Sequence, residues 1–354
     1  MAKLDEAGAV RAEDAFDAAA VDAWLRTQPG FEALRGVPEV TQFAGGASNL
    51  TYRLRYPEHD LVLRRPPVGT KASSAHDMAR EYRVQRQLRP VFGYVPAVRA
   101  LCRDHGVLGA DFYVMDRIPG TIVRGRLPDG VTLTPAEAGG LCRAAVDTLV
   151  ELHAVDPAAA GLTGIGRGPG YVQRQLAGWT GRYAKARTWN VPGFRRVTDW
   201  LAANAPDDAG HCVIHNDFRL DNLVLDPDDP QRVVGVLDWE LATIGDPLMD
   251  LGSSLAYWVQ ADDGRLAHLG RRQPTHLPGM LTRREVVAYY GERTGRDVSG
   301  WTFYEVFGLF RLAVIVQQIY FRYHHKQTTN PAFRHYWVMV RYLERRCRTI
   351  IRSA

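Results

Sequence analysis

Two short stretches hold most of the side chains that could carry chemistry: His215-Asn-Asp-Phe-Arg-Leu-Asp-Asn222 and Leu237-Asp-Trp-Glu240. Transfer of a phosphoryl group from ATP needs a carboxylate to orient the attacking hydroxyl, and oxygen ligands for the magnesium ion that bridges the phosphates. Asp217 is the candidate for the first task. Asn222 and Asp238 are candidates for the second, because a short loop followed by a hairpin returns the downstream Asp beside the upstream Asp and Asn. Each residue alone has a plainer role open to it: Asp217 as a loop cap, Asn222 as a turn residue, Asp238 as a strand-end carboxylate. In this order, and on one hairpin, they point to catalysis.

The elements that must position these groups can be read around them. Asn222-Leu-Val-Leu225 and Val233-Val-Gly-Val-Leu237 are short apolar runs flanking the turn Asp226-Pro-Asp-Asp-Pro230, which predicts the hairpin. The spacing H-x-D-x-x-x-x-N is that of a kinase catalytic loop, and the Asp ending the next strand stands where kinases carry a metal-binding Asp. Upstream, a leading helix is expected over 14–28, ended by Pro29-Gly30. Short β-prone runs follow at 40–43, 51–56 and 61–64, then a helix over 74–88, then strands at 97–101 and 111–115. From there the pattern is mainly helical: 135–153, 171–186, 193–204, 283–294, 301–325 and 331–351. These expectations amount to an α+β chain with two lobes, a small antiparallel-sheet lobe over 1–116 and a mainly helical lobe over 117–354.

The chain resembles the aminoglycoside phosphotransferase family, also called choline-kinase-like, within the protein-kinase-like fold. The resemblance rests on His215-Asn-Asp217, Asn222, Asp238-Trp-Glu240 and Gly245-Asp-Pro-Leu-Met-Asp-Leu251. It implies Asp217 as catalytic base, and Asn222 with Asp238 as magnesium ligands. It implies for His215 the holding of the loop rather than proton transfer. Asp246 and Asp250 are expected to cap or tether the following helix.

The first half is consistent with this. Gly45-Gly-Ala-Ser-Asn49 lies between two strand runs, where backbone N–H groups of Gly45, Gly46, Ser48 and Asn49 could approach phosphates; a tight hairpin turn is the plainer reading. It departs from the G-x-G-x-x-G pattern of protein kinases. Where kinases place a lysine on the third strand, this sequence has Arg64, with Glu81 of the next helix as its expected partner. Arginine keeps the charge but reaches differently, and Arg65 should point to the opposite face of a regular strand. The alternative is a surface Arg on an edge strand. Tyr113-Val-Met-Asp-Arg-Ile-Pro-Gly120 resembles the hinge between kinase lobes, so that backbone groups of Asp116 and Ile118 would read the adenine edge above Met115.

Composition narrows the acceptor. With 354 residues, 46% of them hydrophobic and 23% charged, the chain has the make-up of a packed globular protein. Its start lacks the order of a secretory signal, and the apolar stretch 303–323 is broken by Glu305, Arg311, Gln317 and Gln318, so a buried helix and a cytoplasmic protein without membrane contact are expected. Cys102, Cys142, Cys212 and Cys347 are widely spaced, which suits reduced thiols. The net charge of +5 comes without a nucleic-acid motif. It gathers instead at Arg167, Arg174, Arg182, Lys185, Arg187, Arg195 and Arg196 against Asp199, and again at Arg334, Arg341, Arg345, Arg346, Arg348 and Arg352 against Glu344.

A polycationic antibiotic would need the reverse charge. Trp179, Tyr183, Trp189, Trp258, Tyr320 and Trp337 stud the same lobe, which suits an anionic, partly apolar acceptor; a solvated face over an aromatic core is the blander reading. Within the family, Gly45-Gly-Ala-Ser-Asn-Leu-Thr-Tyr52, Val62-Leu-Arg-Arg-Pro-Pro67 and Ala79-Arg-Glu-Tyr-Arg-Val84 are similar to the branch whose kinase domains are fused to, or work beside, acyl-CoA dehydrogenases. That branch phosphorylates the hydroxyl of hydroxyacyl-CoA thioesters. Competing expectations are a kinase of another small acceptor (aminoglycoside, choline or sugar), a nucleotide-binding pseudokinase, which Arg64 favours, and a basic nucleic-acid binder, which net charge alone does not support.

Overall fold

A computed structural model of the chain describes residues 7–43, 49–67, 77–128 and 130–354. The leading helix is α1, Ala18–Leu25, shorter at both ends than its apolar spacing suggests. Asp17 sets its start, because its carboxylate accepts the amides of Ala19 and Ala20 and so caps the first turn.

Five antiparallel strands follow: β1 (Glu39–Gln42), β2 (Leu50–Arg55), β3 (Asp60–Arg65), β4 (Val98–Cys102) and β5 (Phe112–Asp116), in the order β1-β2-β3-β5-β4. Between β3 and β4 lies α2 (Met78–Leu88), and between β4 and β5 the short α3 (His105–Leu108). Because side chains alternate along a strand, each face of the sheet has its own core. Tyr52, Leu54, Leu61, Leu63, Phe112 and Val114 pack against Val21 and Leu25 of α1. Val62, Tyr113 and Met115 face the other way, towards Met78 of α2. Arg64 shares that second face. Arg65 points back under the sheet, where its Nη2 donates to Asp14 O at 2.8 Å and to the Tyr52 hydroxyl at 3.1 Å.

The rest is mainly helical: α4 (Pro135–His153), α5 (Tyr171–Ala186), α6 (Arg195–Ala203), α7 (Pro247–Leu255), α8 (Arg265–Gly270), α9 (Arg283–Thr294), α10 (Trp301–His324) and α11 (Tyr336–Ser353). Helices α4 and α9 start where expected because both carry a capping box, Thr134 with Glu137 and Thr282 with Glu285. Two small ribbons interrupt the helices: β6 (Cys212–Ile214) pairs with β9 (Thr243–Gly245), and β7 (Leu223–Leu225) pairs with β8 (Val233–Val236). The expected last helix begins later, at Tyr336, after a short 3-10 turn over Pro331–Phe333.

Helix α10 is long and apolar enough to cross a bilayer, but 61% of its most apolar window is buried within the protein. It crosses α7 at Gly252 and Gly308. A Cβ on Gly252 would meet Tyr304 O at 2.6 Å, and one on Gly308 would run into Gly252 O, so both positions need glycine for the helices to touch. This close approach brings Asp250 of α7 and Arg311 of α10 against the same loop.

Candidate active site

The loop between β6 and β7 carries Asp217 and Asn222, and β8 delivers Asp238. Loop and ribbon are tied together through backbone: the Leu237 amide donates to Asn222 O at 2.8 Å. Asp238 has left-handed backbone, φ 68°, as has Asn216 at φ 65°. Few non-glycine residues hold this conformation, which is strain that the surroundings must stabilise.

The surroundings do so through Asp250. Its Oδ2 accepts the His215 amide at 2.8 Å and its Oδ1 the Asn216 amide at 2.7 Å. It is fully buried. Burial works against its ionisation, but the hydrogen bond from His153, the charge near it and the His215 amide outweigh that and hold its carboxyl below the usual value. The expected roles of cap and tether are divided between Asp246 and Asp250. Asp246 caps α7, accepting the Met249 amide at 2.8 Å, whereas Asp250 reaches out of the helix to hold the catalytic-type loop. His215 is locked as well: its Nε2 lies 2.9 Å from Leu237 O, and its Nδ1 accepts the Asp217 amide at 3.2 Å. A carbonyl can only accept and an amide N–H can only donate, so Nε2 is the donor and Nδ1 the acceptor in this arrangement. Both nitrogens are occupied, which is a structural role.

Asn222 donates its Nδ2 to Asp217 O at 2.8 Å and towards Asp217 Oδ2 at 3.3 Å. Its side-chain oxygen is thereby turned away from Asp217. A hard divalent cation takes oxygen ligands, and magnesium brought by phosphates needs one or two from the protein. The Asn222 oxygen and the Asp238 carboxylate are chemically suited to that, and no cluster of three or more His, Cys, Asp or Glu side chains suited to a metal occurs among the described residues.

Across the cleft, Arg64 Nη2 lies 3.2 Å from Asp238 Oδ1 and 3.9 Å from Glu240 Oε2, while its Nη1 lies 3.5 Å from Glu81 Oε1. Burial opposes the charge on Arg64, but Glu81, Asp238 and Glu240 keep it firmly protonated. Burial also raises the Glu81 carboxyl, with Arg64 opposing. Asn49 donates to Glu240 Oε2 at 2.9 Å, and Arg80 of α2 donates to Glu240 O at 3.1 Å and Ala242 O at 2.5 Å. The segment 238–242 is thus gripped by Asn49 just before β2, by Arg64 of β3 and by Arg80 of α2 at once. Arg80 and Glu240 had no sequence signal as cross-lobe partners beyond lying beside Glu81 and Asp238.

A cavity of about 340 Å³ opens between the lobes, lined by Asn49, Arg64, Met115, Asp116, Ile118, Asp217, Asn222 and Asp238 among others. Met115, Asp116 and Ile118 of the expected hinge all line it. The Asp116 amide is spent on Ala97 O at 2.9 Å, and its carboxylate on Arg99 at 2.5 Å, so a base edge would meet the Asp116 carbonyl and the Ile118 amide. Gly45, Gly46 and Ser48 lie outside the described residues. Arg219, two residues after Asp217, carried no expectation. Its Nη2 lies 3.3 Å from Asp217 Oδ2, its Nε 3.1 Å from Asp221 Oδ1, and its guanidinium stacks on Tyr257 at 4.6 Å.

Comparison with known proteins finds relatives by sequence and by fold. The family model described as "Phosphotransferase enzyme family" matches residues 39–286. Acyl-CoA dehydrogenase family member 11 of Rattus norvegicus is 36% identical over 317 residues, which is 87% of this chain and 40% of that protein. The chain therefore spans well under half the length of the curated relatives it matches. A crystal structure from Ralstonia eutropha JMP134, named provisionally as an aminoglycoside phosphotransferase, superimposes with TM-score 0.80 at 31% identity, covering 96% of this chain and 99% of that one. A thermostable mutant of the aminoglycoside phosphotransferase APH(4)-Ia, in ternary complex with ADP and hygromycin B, shares the fold at TM-score 0.58 and 14% identity, covering 95% and 99%.

Proposed function

Since the chain belongs to the phosphotransferase enzyme family, we propose that it is an ATP- and magnesium-dependent kinase of a small-molecule hydroxyl, and that its acceptor is a hydroxyacyl-CoA thioester. The observation that carries the reaction is the meeting of Asp217, Asn222, Asp238 and Arg64 on one cavity. Nucleotide use is supported by the ADP complex of the APH(4)-Ia neighbour. The acceptor is supported by the dehydrogenase named in the rat relative and by the basic, aromatic second lobe. The name of the same relative supports a working partnership with an acyl-CoA dehydrogenase, and a cytoplasmic setting is proposed with it.

In this reading the acceptor hydroxyl donates a hydrogen bond to Asp217. As its oxygen bonds to the γ-phosphorus, the bond from that phosphorus to the β–γ bridging oxygen breaks, ADP leaves, and the proton passes to Asp217. Asn222 holds Asp217 in position through its amide nitrogen and offers its oxygen, with Asp238, to magnesium. The ion would neutralise charge on the phosphates. Arg64 supplies fixed positive charge on the opposite wall, and Glu81 keeps it aimed.

The test is ADP release with magnesium and ATP over a panel of acceptors. A 4-hydroxyacyl-CoA should turn over. Turnover of an aminoglycoside, choline or a sugar, with none of the thioester, would refute the acceptor; binding of ATP without any turnover would refute the kinase.

A further inference from the structure

Many of the acceptor-lobe arginines are already engaged. Arg174 Nη2 donates to Gly168 O at 2.6 Å, Arg341 to Asn190 O at 3.0 Å, and Arg346 and Arg348 lie 3.9 Å from Asp263 and 3.5 Å from Glu344. Arg182 and Arg311 are different. Both stack on the same ring, Trp179 of α5, with guanidinium carbons 4.4 Å and 5.2 Å from its centroid. Arg311 comes from α10 and is 5% exposed. It donates Nη2 to Asn216 O at 2.8 Å, so one end of this pair touches the residue before Asp217.

Among the described residues neither guanidinium has a carboxylate partner. Stacking on an aromatic face offsets part of the cost of gathering two like charges, but an indole carries no net charge to neutralise them. Arg182 is exposed at the surface, and its partial loss of solvent together with the neighbouring Arg311 charge lowers its guanidinium from the ordinary value. The Asn216 carbonyl that Arg311 meets is a neutral acceptor, so that hydrogen bond leaves the guanidinium charge unneutralised. What the pair lacks is an anion. Phosphate oxygens suit guanidinium forks by geometry as well as charge.

We infer that Arg182 and Arg311, both stacked on Trp179, form an anion subsite that receives a phosphate ester group of the acceptor. The inference rests on the acceptor reading above, and the two can fail separately. A CoA thioester carries its phosphates on one long arm and its hydroxyl on the other, so a fixed phosphate grip beside the Asp217 loop would select for the carrier as much as for the acyl group.

The experiment is calorimetric titration of the full chain, with the nucleotide site filled by Mg-ADP, using free coenzyme A, inorganic pyrophosphate and phosphate-free pantetheine as probes. Coenzyme A and pyrophosphate should bind the wild type. R182A should weaken both about tenfold or more, the loss of about one charge-assisted contact, and R182K should recover part of it. Pantetheine should shift by no more than about twofold, within the usual range for a surface substitution. No coenzyme A binding to the wild type, equal binding to R182A, or equal weakening of pantetheine would each overturn the inference. If coenzyme A binding depends on Arg182 yet no hydroxyacyl thioester is phosphorylated, the subsite stands and the proposed acceptor falls. If a thioester is phosphorylated and R182A binds coenzyme A like the wild type, the reverse holds.

Discussion

Arg64 on β3 and Asp238 at the end of β8 meet across the cleft at 3.2 Å. Each is the group that the reaction would ask to face a phosphate or its metal, and here they face each other. Arg64 divides its fork between Asp238 and the buried Glu81, so its reach is fixed by two walls. In the proposed reaction a phosphate contact to Arg64 would compete with this ion pair.

Arg64→Lys should therefore be a poor substitute despite the kept charge. A lysine can pair with a helix glutamate and a phosphate together, as in kinases, but its one ammonium would have to serve positions set here for the two separate Nη atoms of a guanidinium. The expected outcome is a fall of about tenfold in kcat/KM for ATP, equivalent to about 1.4 kcal/mol, with a larger loss for Arg64→Ala. Steady-state kinetics at saturating acceptor measures it. An unchanged ATP dependence in Arg64→Lys would remove Arg64 from the phosphate wall.

Asp217→Asn keeps the shape and the loop but cannot take a proton. Loss of the general base should cost roughly 100- to 10,000-fold in kcat, with ATP affinity altered by less than about threefold, a small fraction of that loss. Rapid-quench turnover and nucleotide titration on the same protein give both numbers. Comparable losses in binding and turnover would indicate that the loop, rather than the base, had been lost.

Magnesium dependence should run through Asp238. Asp238→Asn removes the ionised ligand while leaving an oxygen, and it also frees Arg64. ATP should then bind without a metal requirement and turn over poorly, and raising magnesium about tenfold should recover part of the rate, because a weakened hard-cation site is repopulated by mass action. Activity against magnesium concentration, with chelator as baseline, checks this. A curve superimposable on the wild type would exclude Asp238 as a ligand.

The parts of the site that could be read from the sequence are those where chemistry and local spacing coincide. Asp217, Asn222 and Asp238 lie within one loop and ribbon, and the alternation of Arg64 and Arg65 follows from strand geometry alone. Strands β6 and β9 escaped notice because each is three residues long and its partner lies far along the chain. The same holds for what supports the site. Asn49 reaches Glu240, Arg80 reaches the same segment, and Arg311 meets Asn216, and no periodicity links residues so distant in sequence. Asp250 was visible as a helix-start carboxylate, the commonest reason for an Asp there, and only the packing of α7 under the loop shows that its oxygens face outward.

That packing gives a last prediction. Asp250→Asn leaves one oxygen for two loop amides and presents an N–H₂ group to a donor, so one of the His215 and Asn216 amides becomes unsatisfied in a buried place. A cost of about 3 kcal/mol is expected for losing a charged acceptor shared in this way, together with a fall in kcat as the strained Asn216 backbone relaxes. The pH dependence separates this from simple misfolding. The Asp250 carboxyl is held below its usual value in the folded protein, so its contribution to stability is complete above the unfolded value of about 3.9 and is lost as pH falls through the lower folded value. Thermal melts of wild type and variant should therefore differ by a constant amount from neutral pH down to about pH 5 and converge below about pH 4. A gap that stays constant to the lowest pH at which both fold would show that the Asp250 charge is not what holds the loop.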